Sequence, residues 1–540
     1  MLASVAYRPA LIYIDTMKYL YNAYPGADPI GYKAPLKLIL TVGNLETVAA
    51  IQHLLGLAIA VAIYLTLTRL SAPRWLAALA AAPVLLDAYQ LQIEQTIMPD
   101  VWFEALIVAA IAILLLTPSS SVSPGGQPPG TPRSASPAGR PPGTPRSASP
   151  GGRPPGTPRS GAGRKILRNV LIAGLLLGLT ATFRQVGEVL CAPVLVYLVI
   201  VGGGWRAVLI RSAAFIVAFA VPILGYMTGS YYISRHFWLD SGSVSVSTYG
   251  RMATAADCAT LRIPAYERPL CPNARQRAYG IDWLDHDAAS PLKTYVAPRG
   301  LNRYAVIASF DHQVAEQQPA RVAAAIADDA AKLFAINRTS SQTGTPISRW
   351  QFHTTYPTYP SWVTLSKTGT IVFGLRLTPA GGPLVRHPLE PGDGGRAAVN
   401  RPVATFLRGY QLDGGYTPGP ALAVLTLAGL LGSILAVITR LRRRAAASRP
   451  QLGPLSLACL LFFGCGTAVL LMSDAFQFSW RYQLPALVTL PPAGVLGIAA
   501  IAVALRGRPQ QASTEQPDDK EQPDGPAQPD DKPQTTSSAT

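Results

Sequence analysis

The sequence predicts an all-α polytopic membrane protein of about nine transmembrane helices, with an inserted extracytoplasmic α+β domain. Of its 540 residues, 49% are hydrophobic and only 14% are charged, whereas a soluble chain carries about a quarter charged residues. The apolar residues form long runs, and the charged residues lie between those runs. Lys and Arg cluster on alternate connections, which is typical of membrane spans joined by loops.

The apolar runs set the number of spans, because a helix needs about 20 mostly apolar residues to cross a bilayer. The second and fifth runs are short. The predicted spans are 46–68, 75–91, 101–117, 166–183, 189–203, 208–229, 418–440, 454–472 and 482–504.

Basic residues orient these spans, because loops rich in Lys and Arg stay in the cytoplasm. One orientation places every basic cluster on the cytoplasmic side, and it accounts for the net charge of +17 without a nucleic-acid partner. The clusters are Arg69 and Arg74, the arginines of 133–168, Arg206 and Arg211, Arg440 to Arg444, and Arg506 and Arg508.

This orientation divides the chain into alternating segments and places its N-terminus outside. Met1 to Ala10 is too short for a signal peptide. We therefore expect a further span upstream of Met1, with insertion of an outside N-terminus as the alternative. The predicted segments are the outer loop 1–45, spans 46–117, a cytoplasmic linker 118–165, spans 166–229, the extracytoplasmic domain 230–417, spans 418–504 and a cytoplasmic tail 505–540.

Two of these segments are predicted to be disordered. The linker 118–165 repeats a Pro-Pro-Gly-Thr-Pro-Arg-Ser motif, and dense proline with nothing apolar forms neither helix nor core. The tail repeats Pro-Asp-Asp-Lys.

Residues 230–417 have the ordinary polarity of a folded domain. We predict a helix over 313–336 and short strands at 362–365 and 370–377, joined by a Lys-Thr-Gly turn. Cys258 and Cys271 are candidates for a disulfide if the domain is exported. The other cysteines fall inside apolar runs and form no metal motif.

The outer loops hold an unusual share of the ionisable residues, and such groups at membrane depth are functional candidates. Plainer roles remain open: Asp100 as a helix cap, Arg184 paired with Glu188, and Arg481 extended toward the interface. The candidates are Asp15, Lys18, Asp28 and Lys33 in the first loop, Glu94 and Asp100 in the second, Arg184 in the third and Arg481 in the last.

The order of these parts resembles the GT-C superfamily of polyprenyl-phosphate-dependent membrane glycosyltransferases, in particular bacterial proteins similar to the dolichyl-phosphate-mannose mannosyltransferases of glycosyltransferase family 39. The resemblance covers about half the chain and is carried by short segments, and a single Asp15 stands where many relatives have paired acidic residues. The segments are Tyr13-Ile-Asp15-Thr-Met-Lys-Tyr, Gly31-Tyr-Lys-Ala-Pro35-Leu, the span that ends Thr-Ala-Thr-Phe-Arg184, and Arg481-Tyr-Gln-Leu-Pro485.

The resemblance implies transfer of a sugar from a polyprenyl-phosphate lipid to an acceptor hydroxyl on a glycan or protein outside the bacterial plasma membrane. A carboxylate takes the acceptor proton and cations hold the departing phosphate. The catalytic candidates are Asp15, Asp28, Glu94 and Asp100, and the lipid-phosphate candidates are Arg184, Arg481, Lys18 and Lys33. No metal ligands are predicted, although a divalent cation is compatible with the carboxylates.

Two other classes of function compete with the enzyme. A transporter needs charged or broken helices near the bilayer midplane and internal symmetry, and few charges lie inside the spans. A flippase or polymer ligase remains open on the same observations. An envelope scaffold that binds a partner through 230–417 is the non-enzymatic alternative.

Overall fold

The computed structural model describes residues 2–21, 29–116, 160–202, 204–239, 244–341, 343–356, 362–365, 371–372, 385–388, 397–441 and 452–506. Most of the predicted disordered linker, nearly all of the tail and the predicted Lys-Thr-Gly turn lie outside these residues. The described chain is mostly helical, with a few short strands.

The first half of the chain begins with short helices and continues with longer apolar ones. A bent pair, α5 (Arg74–Leu86) and α6 (Ala88–Gln95), meets at Asp87 with an angle of 51°. The helices are α1 (Leu2–Ala6), α2 (Ile14–Tyr21), α3 (Lys33–Leu40), α4 (Leu45–Arg69), α5 (Arg74–Leu86), α6 (Ala88–Gln95), α7 (Asp100–Leu115), α8 (Ser160–Phe183), α9 (Cys191–Val201) and α10 (Trp205–Ser234).

The segment after α10 folds as short helices around its own apolar core, which includes Tyr249, Leu284 and Phe310. The predicted helix over 313–336 is divided at Pro319, because proline at the start of a helix leaves no N–H for the preceding turn. Cys258 and Cys271 are joined in a disulfide. These helices are α11 (Val244–Ala255), α12 (Ala274–Ala278), α13 (Ile281–His286), α14 (Pro291–Thr294), α15 (Arg303–Gln317) and α16 (Pro319–Ala331).

The described residues include two small antiparallel sheets. In one, β1 (Tyr7–Arg8) pairs with β5 (Ala398–Val399), which ties the N-terminal segment to the end of the inserted one. In the other, β2 (Trp362–Leu365) lies between β3 (Ile371–Val372) and β4 (Val385–Pro388). Strands therefore occur at 362–365 and within 370–377, where the sequence predicts them.

The chain closes with the amphipathic helix α17 (Arg401–Leu412) and three long apolar helices, α18 (Gly419–Leu441), α19 (Leu452–Phe476) and α20 (Leu484–Arg506). Each predicted span coincides with helix. Among the described residues, only six helices are long and apolar enough to cross a membrane alone, namely α4, α8, α10, α18, α19 and α20. The described chain therefore has six candidate spans, or up to seven if the bent pair is one. This is a multi-pass membrane protein.

The long helices differ in how much of their surface other helices cover. The apolar stretch of α20 is 72% buried and packs against α18 and α19, whereas that of α10 is 17% buried and packs mainly on α8. The exposed side of α10 carries Leu209, Ile216 and Val221. An apolar surface of this kind is suited to lipid rather than to water.

The inserted segment is fixed to one end of the helical bundle. Its residue Thr345 donates a backbone hydrogen bond to Phe478 and a hydroxyl hydrogen bond to Ser479, at 3.2 and 2.9 Å. Trp480 in turn donates to the carbonyl of Thr339 at 3.0 Å. These bonds hold the 477–483 loop, which joins α19 to α20.

Candidate functional site

Arg481 is held in the 477–483 loop by a tight turn and by aromatic neighbours. The N–H of Tyr482 donates to the carbonyl of Ser479 at 2.8 Å. The guanidinium of Arg481 lies 5.5 Å from the ring of Trp350 and 5.4 Å from that of Tyr482. Its side chain is only 4% exposed. A buried guanidinium must have anionic partners.

Two carboxylates supply those partners. Nε of Arg481 donates to both oxygens of Asp100, at 3.0 and 3.1 Å. Nη1 donates to Oδ2 of Asp15 at 2.6 Å. Arg481 therefore joins Asp15 of α2 to Asp100 of α7, which lie 466 and 381 residues before it in the sequence.

Asp100 is the first residue of α7, where the positive end of the helix dipole favours a carboxylate. The N-cap position is occupied by Pro99, so the interpretation of Asp100 as a helix cap is wrong. Its fully buried carboxylate accepts a hydrogen bond from Nη1 of Arg184 at 2.5 Å in addition to those from Arg481.

Arg184 follows the last residue of α8 directly, in extended backbone. A 3-10 turn over Gln185–Leu190 then reverses the chain against the end of α8. Gly187 permits this, because a Cβ there would lie 2.6 Å from both Thr180 Oγ1 and the backbone nitrogen of Ala181. The guanidinium of Arg184 also lies 4.8 Å from the ring of Tyr482, beside Arg481.

Asp15 and Lys18 lie one turn apart on α2. Nζ of Lys18 is 3.8 Å from Oδ1 of Asp15, so both oxygens of this carboxylate face cations. Burial alone would raise the pKa of Asp15, but the charges of Lys18 and Arg481 more than offset it and lower that pKa from 3.8 to about 2. Asp15 is therefore ionised at neutral pH.

Asp15, Lys18, Arg184 and Arg481 border one cavity of about 380 Å³, which also touches the ends of α8 and α19. Asp100 does not line this cavity and holds the two arginines from behind its wall. The volume of the cavity is within the range of small-molecule sites. Aromatic side chains form part of the wall. The lining residues are Asp15, Lys18, Tyr19, Phe183, Arg184, Gln185, Val186, Asp285, His286, Lys293, Ser473, Phe476, Gln477, Arg481 and Tyr482.

The remaining candidates do not join this cluster. Glu94 lies between α4 and α6, where its Oε2 is 2.8 Å from Nδ1 of His53, and it does not line the cavity. Lys33 begins α3 and is likewise absent from the cavity wall. Asp28 lies outside the described residues.

Sequence reasoning missed two features. Asp285 and Lys293 of the inserted segment border the cavity, although nothing in their surroundings marks them in the sequence. Asp87 forms a bidentate ion pair with Arg338, at 3.0 and 2.6 Å. A carboxylate inside the predicted span 75–91 was the available signal, since a charge there requires a partner.

Within the described residues, no group of three or more His, Cys, Asp and Glu is arranged to hold a metal ion. The described cavity combines two arginines and two lysines with carboxylates, a set that binds oxyanions and hydroxyl groups. No family model matches the chain, and no curated protein or solved structure shows significant similarity to it.

Proposed function

We propose that this protein is a membrane glycosyltransferase, which moves a sugar from a polyprenyl-phosphate lipid to an acceptor hydroxyl outside the cytoplasm. One observation carries the proposal. Three separate loops of the sequence, with Asp15 and Lys18 in the first, Arg184 in the second of them and Arg481 in the last, all border one cavity at the ends of apolar helices.

The cations suit the phosphate of such a lipid. The planar guanidinium groups of Arg184 and Arg481 can bind phosphate oxygens in pairs. Lys18, Arg184 and Arg481 face Asp15 and Asp100. A phosphodiester oxygen can take the place of a carboxylate oxygen at these cations.

The reaction needs a base and a stabilised leaving group. The acceptor oxygen forms a bond to C1 of the sugar, its proton passes to a carboxylate, and the C1–O bond to phosphate breaks with its electron pair on the phosphate. Asp15 is the proposed base. It becomes available when a phosphate oxygen replaces it at Arg481, whose charge then stabilises the phosphate in the transition state.

The finer topology belongs to the same proposal. The shorter apolar segments α5–α6, α7 and α9 would complete nine crossings of a bacterial plasma membrane, with 230–417 as an extracytoplasmic α+β domain. The 16 residues of α7 span about 24 Å, less than the roughly 30 Å of a bilayer core. A helix that other helices surround can cross the membrane with fewer residues than one that faces lipid. Labelling of single cysteines placed in 1–45 and 230–417 by an impermeant thiol reagent tests this arrangement.

Two measurements on the full chain in lipid nanodiscs test the activity. Undecaprenyl phosphate should bind the wild type, and Arg184→Gln should weaken that binding about 10- to 100-fold, the loss of one charge-assisted hydrogen bond. Asp15→Asn should keep the lipid bound and insert normally, yet lower transfer from a radiolabelled polyprenyl-phosphate hexose by about 100-fold or more.

The matched control is Arg299→Gln, because Arg299 is exposed and lies away from the cavity. It should bind the lipid as the wild type does. A fully active Asp15→Asn variant would remove Asp15 as the base. Failure of the wild type to bind undecaprenyl phosphate would contradict the transferase and favour the scaffold alternative.

A further inference from the structure

The inserted segment forms the second wall of the cavity. Asp285 and His286 end α13 and Lys293 belongs to α14, and these side chains border the space that Asp15 and Arg481 border from the membrane part. A lipid-linked donor reaches the cavity from the membrane side, where its phosphate meets the arginines. The opposite wall is therefore the one that an acceptor meets first.

Asp285 is fixed in place by a backbone contact. Its side chain is nearly buried, and Oδ1 accepts a hydrogen bond from the N–H of Gly250 at 2.8 Å. A Cβ on Gly250 would lie 2.5 and 2.6 Å from the two carboxyl oxygens, so the approach depends on glycine. Among the described residues, no Lys or Arg forms an ion pair with Asp285.

The surroundings of Asp285 shift its pKa in the direction opposite to that of Asp15. Burial raises the pKa of Asp285 well above its usual value; the N–H of Gly250 and the charge of Lys293 oppose this rise, and the nearby carboxyls of Asp311 and Asp282 add to it. Burial also raises the pKa of Asp311 to about 8. A neutral carboxyl group both donates and accepts hydrogen bonds, as a hydroxyl group does.

We propose that Asp285 binds the acceptor, and that the acceptor is a saccharide whose hydroxyl groups hydrogen-bond to this carboxyl. The inference rests on the proposed transferase function and deepens it. The membrane part holds the donor phosphate, and the inserted segment positions the nucleophilic hydroxyl beside Asp15. Tyr19 and Tyr482 border the cavity between these two parts.

The test uses the full chain in nanodiscs, with undecaprenyl phosphate as the lipid probe and octyl hexosides as acceptors. Asp285→Ala should raise the acceptor KM about tenfold, as expected for one lost hydrogen bond, and leave the Kd of undecaprenyl phosphate unchanged. Asp285→Asn should restore most of the acceptor affinity, because an amide also donates and accepts. Asp328→Ala, an exposed position outside the cavity, is the matched control.

The outcomes separate this inference from the function on which it rests. If the wild type binds the lipid and transfers sugar, but the acceptor KM of Asp285→Ala equals that of the control, the acceptor site is refuted and the transferase stands. A parallel loss of lipid binding in Asp285→Ala would also refute it. Absence of lipid binding by the wild type overturns the proposed function itself.

Discussion

The buried pair between Arg338 and Asp87 should be a principal link between the inserted segment and the membrane helices. The side chains are 4% and 0% exposed. Asp87 also accepts the N–H groups of Tyr89 and Thr417, at 3.0 and 2.8 Å. The guanidinium lies 5.1 Å from the ring of Trp480. Arg338→Leu would leave the buried carboxylate without a counter-charge.

The expected loss of stability follows from the hydrogen bonds that Arg338→Leu removes. Two charge-assisted hydrogen bonds contribute about 1.5–3 kcal/mol each, and removal of one member of a buried ion pair costs about 3–5 kcal/mol. We therefore expect Arg338→Leu to lower the free energy of unfolding by about 4 kcal/mol. Unfolding by SDS in mixed micelles, followed by tryptophan fluorescence, measures it.

Two further variants make the reasoning refutable. Adding Asp87→Asn to Arg338→Leu should recover at least about 2 kcal/mol, because the orphaned charge is removed. Arg349→Leu is the control, since its pair with Asp282 is 39% and 23% exposed and should contribute less than about 1 kcal/mol. The expectation would be refuted if Arg338→Leu lowered the free energy of unfolding no more than Arg349→Leu does. It would also be refuted if the losses from Arg338→Leu and Asp87→Asn simply added in the double variant.

Three other perturbations have defined outcomes. The folded pKa of Asp15 is lowered from 3.8 to about 2. The ionised carboxylate therefore stabilises the fold fully above its unfolded pKa, and this stabilisation is lost as the pH falls through about 2. Asp15→Asn should lower the free energy of unfolding by about 2 kcal/mol at pH 7 and by progressively less in acid. Gly250→Ala should raise the acceptor KM as Asp285→Ala does, because the new Cβ at position 250 would displace the carboxyl group of Asp285. Replacing Cys258 and Cys271 by serine should lower the stability of the inserted segment by about 3 kcal/mol in thermal unfolding, the entropy of a short closed loop.

The sequence predicted where helices form better than how many of them cross the membrane. Apolar runs mark helices reliably because each must satisfy its own backbone in lipid. The run at 189–203 contains Gly202, where α9 ends after 11 residues. Whether such a helix crosses the membrane depends on its length and on its packing against neighbouring helices. The apolar composition of the sequence predicts neither of these.

The site could be predicted only where the sequence offered a contrast. Arg184 and Arg481 adjoin apolar runs, so their charges stand out against lipid-facing surroundings. Asp285 belongs to a segment of ordinary polarity, where one more carboxylate carries no signal. Its burial and its contact with Gly250 arise from tertiary packing, which brings α11 against α13. Glu94 met the same criterion as Asp100, yet its helix directs it toward His53.

Docking of the inserted segment and assembly of the site are coupled through one side chain. Trp480 packs against Arg338 and donates to Thr339, and the next residue in the chain is Arg481, which binds Asp15 and Asp100. The segment therefore positions the cation that the proposed donor phosphate requires, besides contributing Asp285 to the wall. A membrane part without it would keep Arg184 after α8 and Asp100 on α7, but it would lose the contact of Trp350 with Arg481 and the hydrogen bonds that hold the 477–483 loop. The inserted segment is thus better understood as half of the site than as an appended binding module.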